Sequence, residues 1–144
     1  MIEQDTVRLL RECDAGVKMG IQAIAEVLPH VHSDDLRRAL EENKTEHEQL
    51  DCRLQAELNS YRDEGKDPNP MAKGMSWLKT NAMLAMKDSD KTIADLITDG
   101  CNMGVKSLRK YLNEYKAADE SSKTIAKDLI DLEERLTVEM RSYL

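Results

Sequence analysis

The chain has 144 residues, of which 34% are charged and 3% aromatic, with no Phe and a net charge of −7. This composition predicts one all-α domain and argues against a β-sandwich. Because Lys and Arg are interspersed with acidic residues and form no basic stripe, we do not expect nucleic acid as a partner.

The first predicted hairpin covers about residues 3–64. Apolar residues recur at three- and four-residue spacing from about Glu3 to Leu28, and Pro29 ends this first helix. Ser33 is the predicted N-cap of the second helix, and Gly65 is expected to stop it. The connection is only about four residues long, so the two helices form an antiparallel pair.

Asn43 and His47 fall on the apolar stripe of the second helix, at positions i and i+4. They predict either a ligand or metal position in the core or a buried, hydrogen-bonded pair that fixes the register of the bundle. A buried polar group without a partner costs about 1–3 kcal/mol. Each is therefore expected to have a partner, and Asp14 and Tyr111 are the candidates across the bundle.

Residues 65–89 form the predicted crossover between two hairpins. After a turn-rich start, apolar residues at helical spacing predict a short helix that lies across the bundle. Its apolar area favours packing against its own bundle or against a second copy in a homodimer, ahead of an unknown protein partner. The candidate interface residues are Met71, Met75, Trp77 and Leu78.

The second predicted hairpin covers about residues 90–143, with helices over about 90–116 and 120–143. A short connection again makes the pair antiparallel. The acidic residues Asp131, Glu133 and Glu134 of the last helix are expected on its solvated face.

A repeat links the two hairpins. Residues 16–24 and 100–108 both read G-x-x-M-G-[IV]-x-[AS]-[IL]. A Gly inside a helix costs about 1 kcal/mol relative to Ala, so packing or a ligand must offset the pairs Gly16/Gly20 and Gly100/Gly104. Close packing of two helices is the favoured interpretation, and a cavity for an apolar ligand is the alternative.

The crossover contains Pro68-Asn69-Pro70 and Met75-Ser76-Trp77-Leu78. With these features and the glycines of the repeat, the chain resembles the ferritin-like superfamily, and most closely its small bacterial domains of unknown function. The resemblance implies a four-helix bundle of two antiparallel hairpins joined by a long crossover containing a short helix. Di-iron members take Glu from two helices and Glu-x-x-His from the other two. Here Lys44 replaces the Glu that would precede His47, and Leu136 replaces the second His, so we expect no di-iron site.

The three cysteines, without a C-x-x-C motif, predict buried reduced thiols, and no stretch approaches 18 apolar residues. The start of the chain lacks a signal-peptide pattern, so a cytoplasmic location without membrane contact is expected.

No phosphate-binding loop, G-x-S-x-G or H-E-x-x-H motif is present in the sequence. The sequence therefore favours a non-catalytic interaction or structural module that is a homodimer and needs no cofactor. The alternative is a bundle that binds a small ligand or metal around His47 and Asn43.

Overall fold

Four long α-helices make up most of the computed structural model, which describes residues 2–68 and 89–144. They are α1 (Ile2–Val27), α2 (Asp34–Ser60), α3 (Asp90–Glu114) and α4 (Glu120–Met140), with short 3₁₀ turns at Leu28–His30 and Arg141–Tyr143. The described residues contain no strand, which confirms the all-α prediction. The predicted crossover helix and its interface residues Met71, Met75, Trp77 and Leu78 lie outside the described residues.

Side-chain caps fix where three of the helices begin. Ser33 is the N-cap of α2, as predicted, and its Oγ accepts a hydrogen bond from the backbone N of Leu36 at 3.2 Å. Ser89 caps α3 and Asp119 caps α4 in the same way, through bonds spanning three residues.

The end of α2 differs from the prediction that Gly65 stops this helix. α2 ends at Ser60, and Arg62 takes the left-handed conformation with φ 55°. The N–H of Asp63 donates to the carbonyl of Leu58 at 3.0 Å, which is the six-residue bond of a Schellman motif. Gly65 also has a positive φ, 83°, but in the segment after the helix, where a β-carbon would clash with the Asp14 carboxylate.

Hydrogen bonds at the two ends of the bundle set the directions of the helices. At one end, the Asp90 carboxylate at the start of α3 accepts from the backbone N of His32 and of Ser33, at the start of α2. At the other end, Thr6 of α1 accepts from the backbone N of Asp119, at the start of α4. α1 and α4 therefore begin at one end, and α2 and α3 begin at the other.

The apolar core is divided into two clusters. One lies toward the end where α1 and α4 begin, and its buried members include Leu9, Leu10, Cys13, Val17, Leu50, Leu54, Leu58, Leu108, Ile125, Leu129 and Leu132. The other lies toward the opposite end and includes Ile24, Val27, Leu36, Leu40, Ile93, Ile97, Cys101, Leu136 and Met140. Within the described part of the chain, none of the helices has the length and apolar character that crossing a membrane requires.

Candidate functional site: a polar layer at mid-bundle

A polar layer separates the two core clusters. On every helix, the residues between the last member of one cluster and the first of the other include Gly or a buried polar residue. We call this the central polar layer and define it by Gly20 of α1, Asn43 and His47 of α2, Gly104 of α3 and Glu133 of α4.

The register of the helices puts His47 and Glu133 at the same height. Between α2 and α4, Arg53 pairs with Asp128 at 2.8 Å and Arg135 pairs with Glu46 at 3.2 Å. Seven residues forward along α2 thus correspond to seven residues backward along α4. Position 47 is then opposite position 134, within about 1.5 Å along the axis of Glu133.

The two side chains also occupy equivalent positions in their hairpins. His47 lies fourteen residues beyond its N-cap Ser33, and Glu133 lies fourteen residues beyond its N-cap Asp119. The hairpin repeat therefore places a titratable side chain at the same position twice, with an imidazole in one copy and a carboxyl in the other.

His47 is 1% exposed, and the bonds of its ring define its protonation. Nδ1 lies 2.9 Å from the backbone carbonyl oxygen of Asn43. Because a carbonyl oxygen only accepts, Nδ1 carries the proton, and Nε2 of the neutral ring is an acceptor. Burial lowers the pKa of His47, opposed by that carbonyl and by Glu46, so the ring is neutral at pH 7. Nε2 has no hydrogen-bond partner among the described residues.

Asn43 presents a second acceptor one helical turn away. Its Nδ2 donates to the backbone carbonyl oxygen of Leu132 on α4 at 3.1 Å, which fixes the orientation of the amide. Its Oδ1 is buried and finds no partner in the described part of the chain. The layer thus contains two acceptors whose orientations are fixed by other bonds and whose own bonding capacity is unused.

Glu133 is 7% exposed, and its Oε2 is also without a partner within residues 2–68 and 89–144. Burial raises the pKa of Glu133 to about 8, so the carboxyl is largely protonated at pH 7. Its charge in turn adds to the burial that raises the pKa of the Cys13 and Cys101 thiols to about 12. The layer therefore holds a neutral base and a neutral acid at neutral pH.

The second glycine of each repeat provides the space for these side chains. A β-carbon on Gly20 would lie 2.8 Å from Nε2 of His47, and one on Gly104 would lie 2.5 Å from Oε2 of Glu133. Both distances are shorter than real β-carbon contacts. Each repeat thus places a glycine of one helix against a buried polar side chain of the next helix.

The first glycine of each repeat does not have this role. A β-carbon on Gly16 would meet Leu129 at an ordinary 3.4 Å, and one on Gly100 would meet no atom within 4 Å among the described residues. Close helix packing was predicted for all four glycines. A β-carbon added at Gly20 or Gly104 would meet the side chains of His47 and Glu133, and the close approach of the helices at the four glycines stays a prediction.

The residues predicted as partners of His47 and Asn43 make contacts with other residues. Asp14 is fully buried, and its carboxylate accepts from Lys18 Nζ at 3.0 Å, from Gln55 Nε2 at 2.7 Å and from the backbone N of Lys66 at 2.9 Å. Tyr111 is partly buried and stacks on Tyr115, with ring centroids 6.1 Å apart. The observed partners of the pair are the backbone carbonyls of Asn43 and Leu132.

Glu133 was missed by the sequence analysis, and its predicted solvent exposure was wrong. Its neighbour Glu134 is exposed and pairs with Arg109 at 3.0 Å, as expected of a solvated face. The available signal was spacing, because Glu133 follows Leu129 by four residues and precedes Leu136 by three, on the apolar stripe of α4.

A buried metal cluster is not formed by these groups. Among the described residues, no three His, Cys, Asp or Glu side chains come together in a way that could hold a metal ion. Comparisons of the chain with protein-family models, with curated proteins and with solved structures gave no match.

Proposed function

We propose that the protein is a ferritin-like four-helix bundle that binds a small ligand in the central polar layer, around His47 and Asn43. The observation that supports this proposal is the pair of unused acceptors, His47 Nε2 and Asn43 Oδ1. They are one helical turn apart and buried to 1% and 3% exposure.

The energetic argument for a ligand is the cost of leaving these atoms unpaired. Each buried polar atom without a partner costs about 1–3 kcal/mol. Together with Glu133, three such groups cost several kcal/mol, which is a large part of the 5–15 kcal/mol stability typical of a domain. Apolar residues at these positions would join the two core clusters, so a bound molecule that satisfies the layer accounts better for its composition.

The ferritin-like arrangement is supported by the directions of the helices. α2 ends where α4 begins, as the bond from Tyr61 Oη to the Asp119 carboxylate indicates, whereas α3 begins at the opposite end. Two antiparallel hairpins with this relation need a connection that travels the length of the bundle, as in ferritin-like folds with one long crossover.

Native mass spectrometry of untagged protein, purified without chelators, tests the proposal together with elemental analysis. We expect one small molecule or ion per chain in the wild type and none in His47→Leu. His32→Gln is the matched control, because it removes an exposed histidine on the turn before α2 and should leave the bound species in place.

The competing proposal is the non-catalytic interaction or structural module predicted from the sequence. It predicts no bound species, a homodimer mass, and a His47→Leu variant that is as stable as the wild type or more stable, since an apolar replacement of a buried polar group can be neutral. The dimer and its candidate surface around Trp77 stay predictions, because those residues lie outside the described part of the chain.

A further inference from the structure

The central polar layer also defines which chemical class of ligand would fit it, an inference that rests on the proposed function. Nε2 of His47 is an acceptor because Nδ1 carries the proton, and Oδ1 of Asn43 is an acceptor because its amide nitrogen already donates. A ligand for this pair must supply hydrogen-bond donors. An ionised carboxylate group supplies none, so a carboxylate cannot satisfy this pair of acceptors.

Glu133 indicates that the ligand of this layer is positively charged. Its Oε2 is unpaired in the described residues, although basic residues are present on the outside of the same helices. The neighbouring Glu134, for example, takes Arg109 as its partner at the surface. A buried carboxyl group at the height of His47 without a cationic partner is where a positively charged ligand would find its counter-ion.

A metal ion fits this layer less well than an organic cation. Transition metals in proteins take several ligands from His, Cys, Asp and Glu, and the described residues bring no three of these together. An ammonium group, by contrast, carries three N–H donors and one positive charge. It matches two neutral acceptors and one carboxylate without a fixed coordination geometry.

The face of α3 beside Glu133 carries no side chain at two successive turns. Gly104 and Gly100 follow each other by one helical turn, and neither carries a side chain. Gly104 is partly exposed, and the space above Gly100 is open within the described structure. Glu133 itself retains 7% exposure.

We propose that the central polar layer binds the ammonium group of a small primary amine, which donates to His47 Nε2 and Asn43 Oδ1 and forms an ion pair with the Glu133 carboxylate. The protein supplies the anion by releasing the Glu133 proton to solvent when the cation enters. Binding of one ammonium ion is thus coupled to release of up to one proton at pH 7, and no covalent bond changes.

Isothermal titration calorimetry on the full chain, with methylammonium as the probe, tests this assignment. Tetramethylammonium is the matched probe, because it has the same charge and no N–H donor. We expect saturable binding of methylammonium, at least tenfold weaker binding of tetramethylammonium, and a binding enthalpy at pH 7 that changes with the ionisation enthalpy of the buffer. Equal binding of the two cations would overturn the assignment.

Variants separate this assignment from the proposed function. Glu133→Gln should weaken methylammonium binding at least tenfold, and the surface control Glu134→Gln should leave it unchanged. One outcome is a ligand that the wild type retains, that His47→Leu loses and that Glu133→Gln binds as tightly as the wild type. That result would refute the cationic ligand and would still support the proposed site around His47. If no His47-dependent ligand is found by either method, both proposals are wrong. Circular dichroism establishes that each variant is folded, and the contrast between the two probes needs no variant.

Discussion

A β-carbon added to Gly20 would lie 2.8 Å from Nε2 of His47. The ring has little freedom to retreat, because its Nδ1 is held by the Asn43 carbonyl at 2.9 Å. The His47 ring therefore occupies the space that a side chain at position 20 would need, and the two residues are coupled across the α1–α2 interface.

Gly20→Ala should therefore lower the free energy of unfolding by about 1–3 kcal/mol, as overpacking of a core does. Gly100→Ala is the matched control, since its β-carbon meets nothing within 4 Å among the described residues. It should raise the free energy of unfolding by about 0.4–1 kcal/mol, the usual effect of Gly to Ala in a helix. Urea unfolding measures both.

The same interface predicts strong coupling in a double-mutant cycle. In a His47→Ala background the ring is gone, so Gly20→Ala should become neutral or stabilising. If Gly20→Ala has the same cost in both backgrounds, the contact with His47 is not the cause of that cost.

Stability should fall with rising pH because of Glu133. Its folded-state pKa of about 8 lies above its ordinary value of 4.5, so the folded protein holds a proton that the unfolded chain has lost. This contribution is fully present below pH 4.5 and is lost as pH rises to about 8, at a rate of order 1 kcal/mol per pH unit. Cys13 and Cys101, with pKa values of about 12, do not titrate in this range.

Urea unfolding at a series of pH values compares the wild type with Glu133→Gln. The stability of the wild type relative to this variant should decrease from pH 5 to pH 8 and then level off. A difference that does not change with pH would show that the Glu133 carboxyl titrates normally.

The opposite dependence is expected for His47. Its folded-state pKa lies below the ordinary value of 6.5, so the unfolded chain binds a proton that the folded protein excludes. As pH falls below 6.5, the wild type should lose stability relative to His47→Leu. Proton NMR of the imidazole checks the cause directly, because the His47 resonances should titrate with a midpoint below the ordinary pKa of 6.5. A His47 that titrates at 6.5 would contradict it.

Arg62→Gly should stabilise the protein by about 0.5–1 kcal/mol. Arg62 is exposed and has φ 55° at the C-terminal end of α2, where Gly is the residue without steric penalty. The same substitution at exposed Arg38 inside α2 should instead destabilise by about 1 kcal/mol. Thermal unfolding of the two variants measures this difference in sign, and a loss of stability in both would contradict the role given to Arg62.

Asp14→Asn should lower the free energy of unfolding by about 1–3 kcal/mol. The side-chain NH2 group of Asn cannot accept a hydrogen bond, so at least one donor that binds the Asp14 carboxylate would lose its partner. These donors include Gln55 Nε2 and the backbone N of Lys66. Asp35→Asn, on the exposed start of α2 and 3.8 Å from Arg38, should change stability by less than about 0.5 kcal/mol. Hydrogen exchange at the Lys66 amide should accelerate in the Asp14 variant alone.

Local chemistry made much of the helical framework predictable. The side-chain cap of Ser33 and the break at Pro29 depend only on neighbouring residues, and the structure has the helix boundaries within a residue or two of those signals. The end of α2 was less predictable, because Arg62 adopts a conformation that the sequence pattern assigns to Gly65.

The central polar layer could be only half predicted. Asn43 and His47 interrupt an otherwise apolar stripe, so the pattern on α2 alone exposes them. Glu133 sits beside Leu132 in an acidic run, and both side chains are buried. The spacing of Glu133 to Leu129 and Leu136 places it on the apolar stripe, but spacing alone does not show that a carboxyl group has room there. Glu133 can be buried because Gly104, on α3, has no β-carbon to collide with its carboxyl group. This contact joins two helices, so the periodicity of one helix does not predict it.

The first turn of α1 holds the connection between α3 and α4. The Asp5 carboxylate accepts from the backbone N of Ala117, and Thr6 Oγ1 accepts from Asp119, across separations of 112 and 113 residues. On the ribosome, Asp5 and Thr6 are therefore synthesised more than 100 residues before the backbone groups that they bind. The apolar faces of the α1–α2 hairpin stay uncovered until α3 and α4 are made, because all four helices share one core cluster. Removal of α1 or of α4 should therefore expose the remaining helices to proteolysis, not leave a stable three-helix remainder.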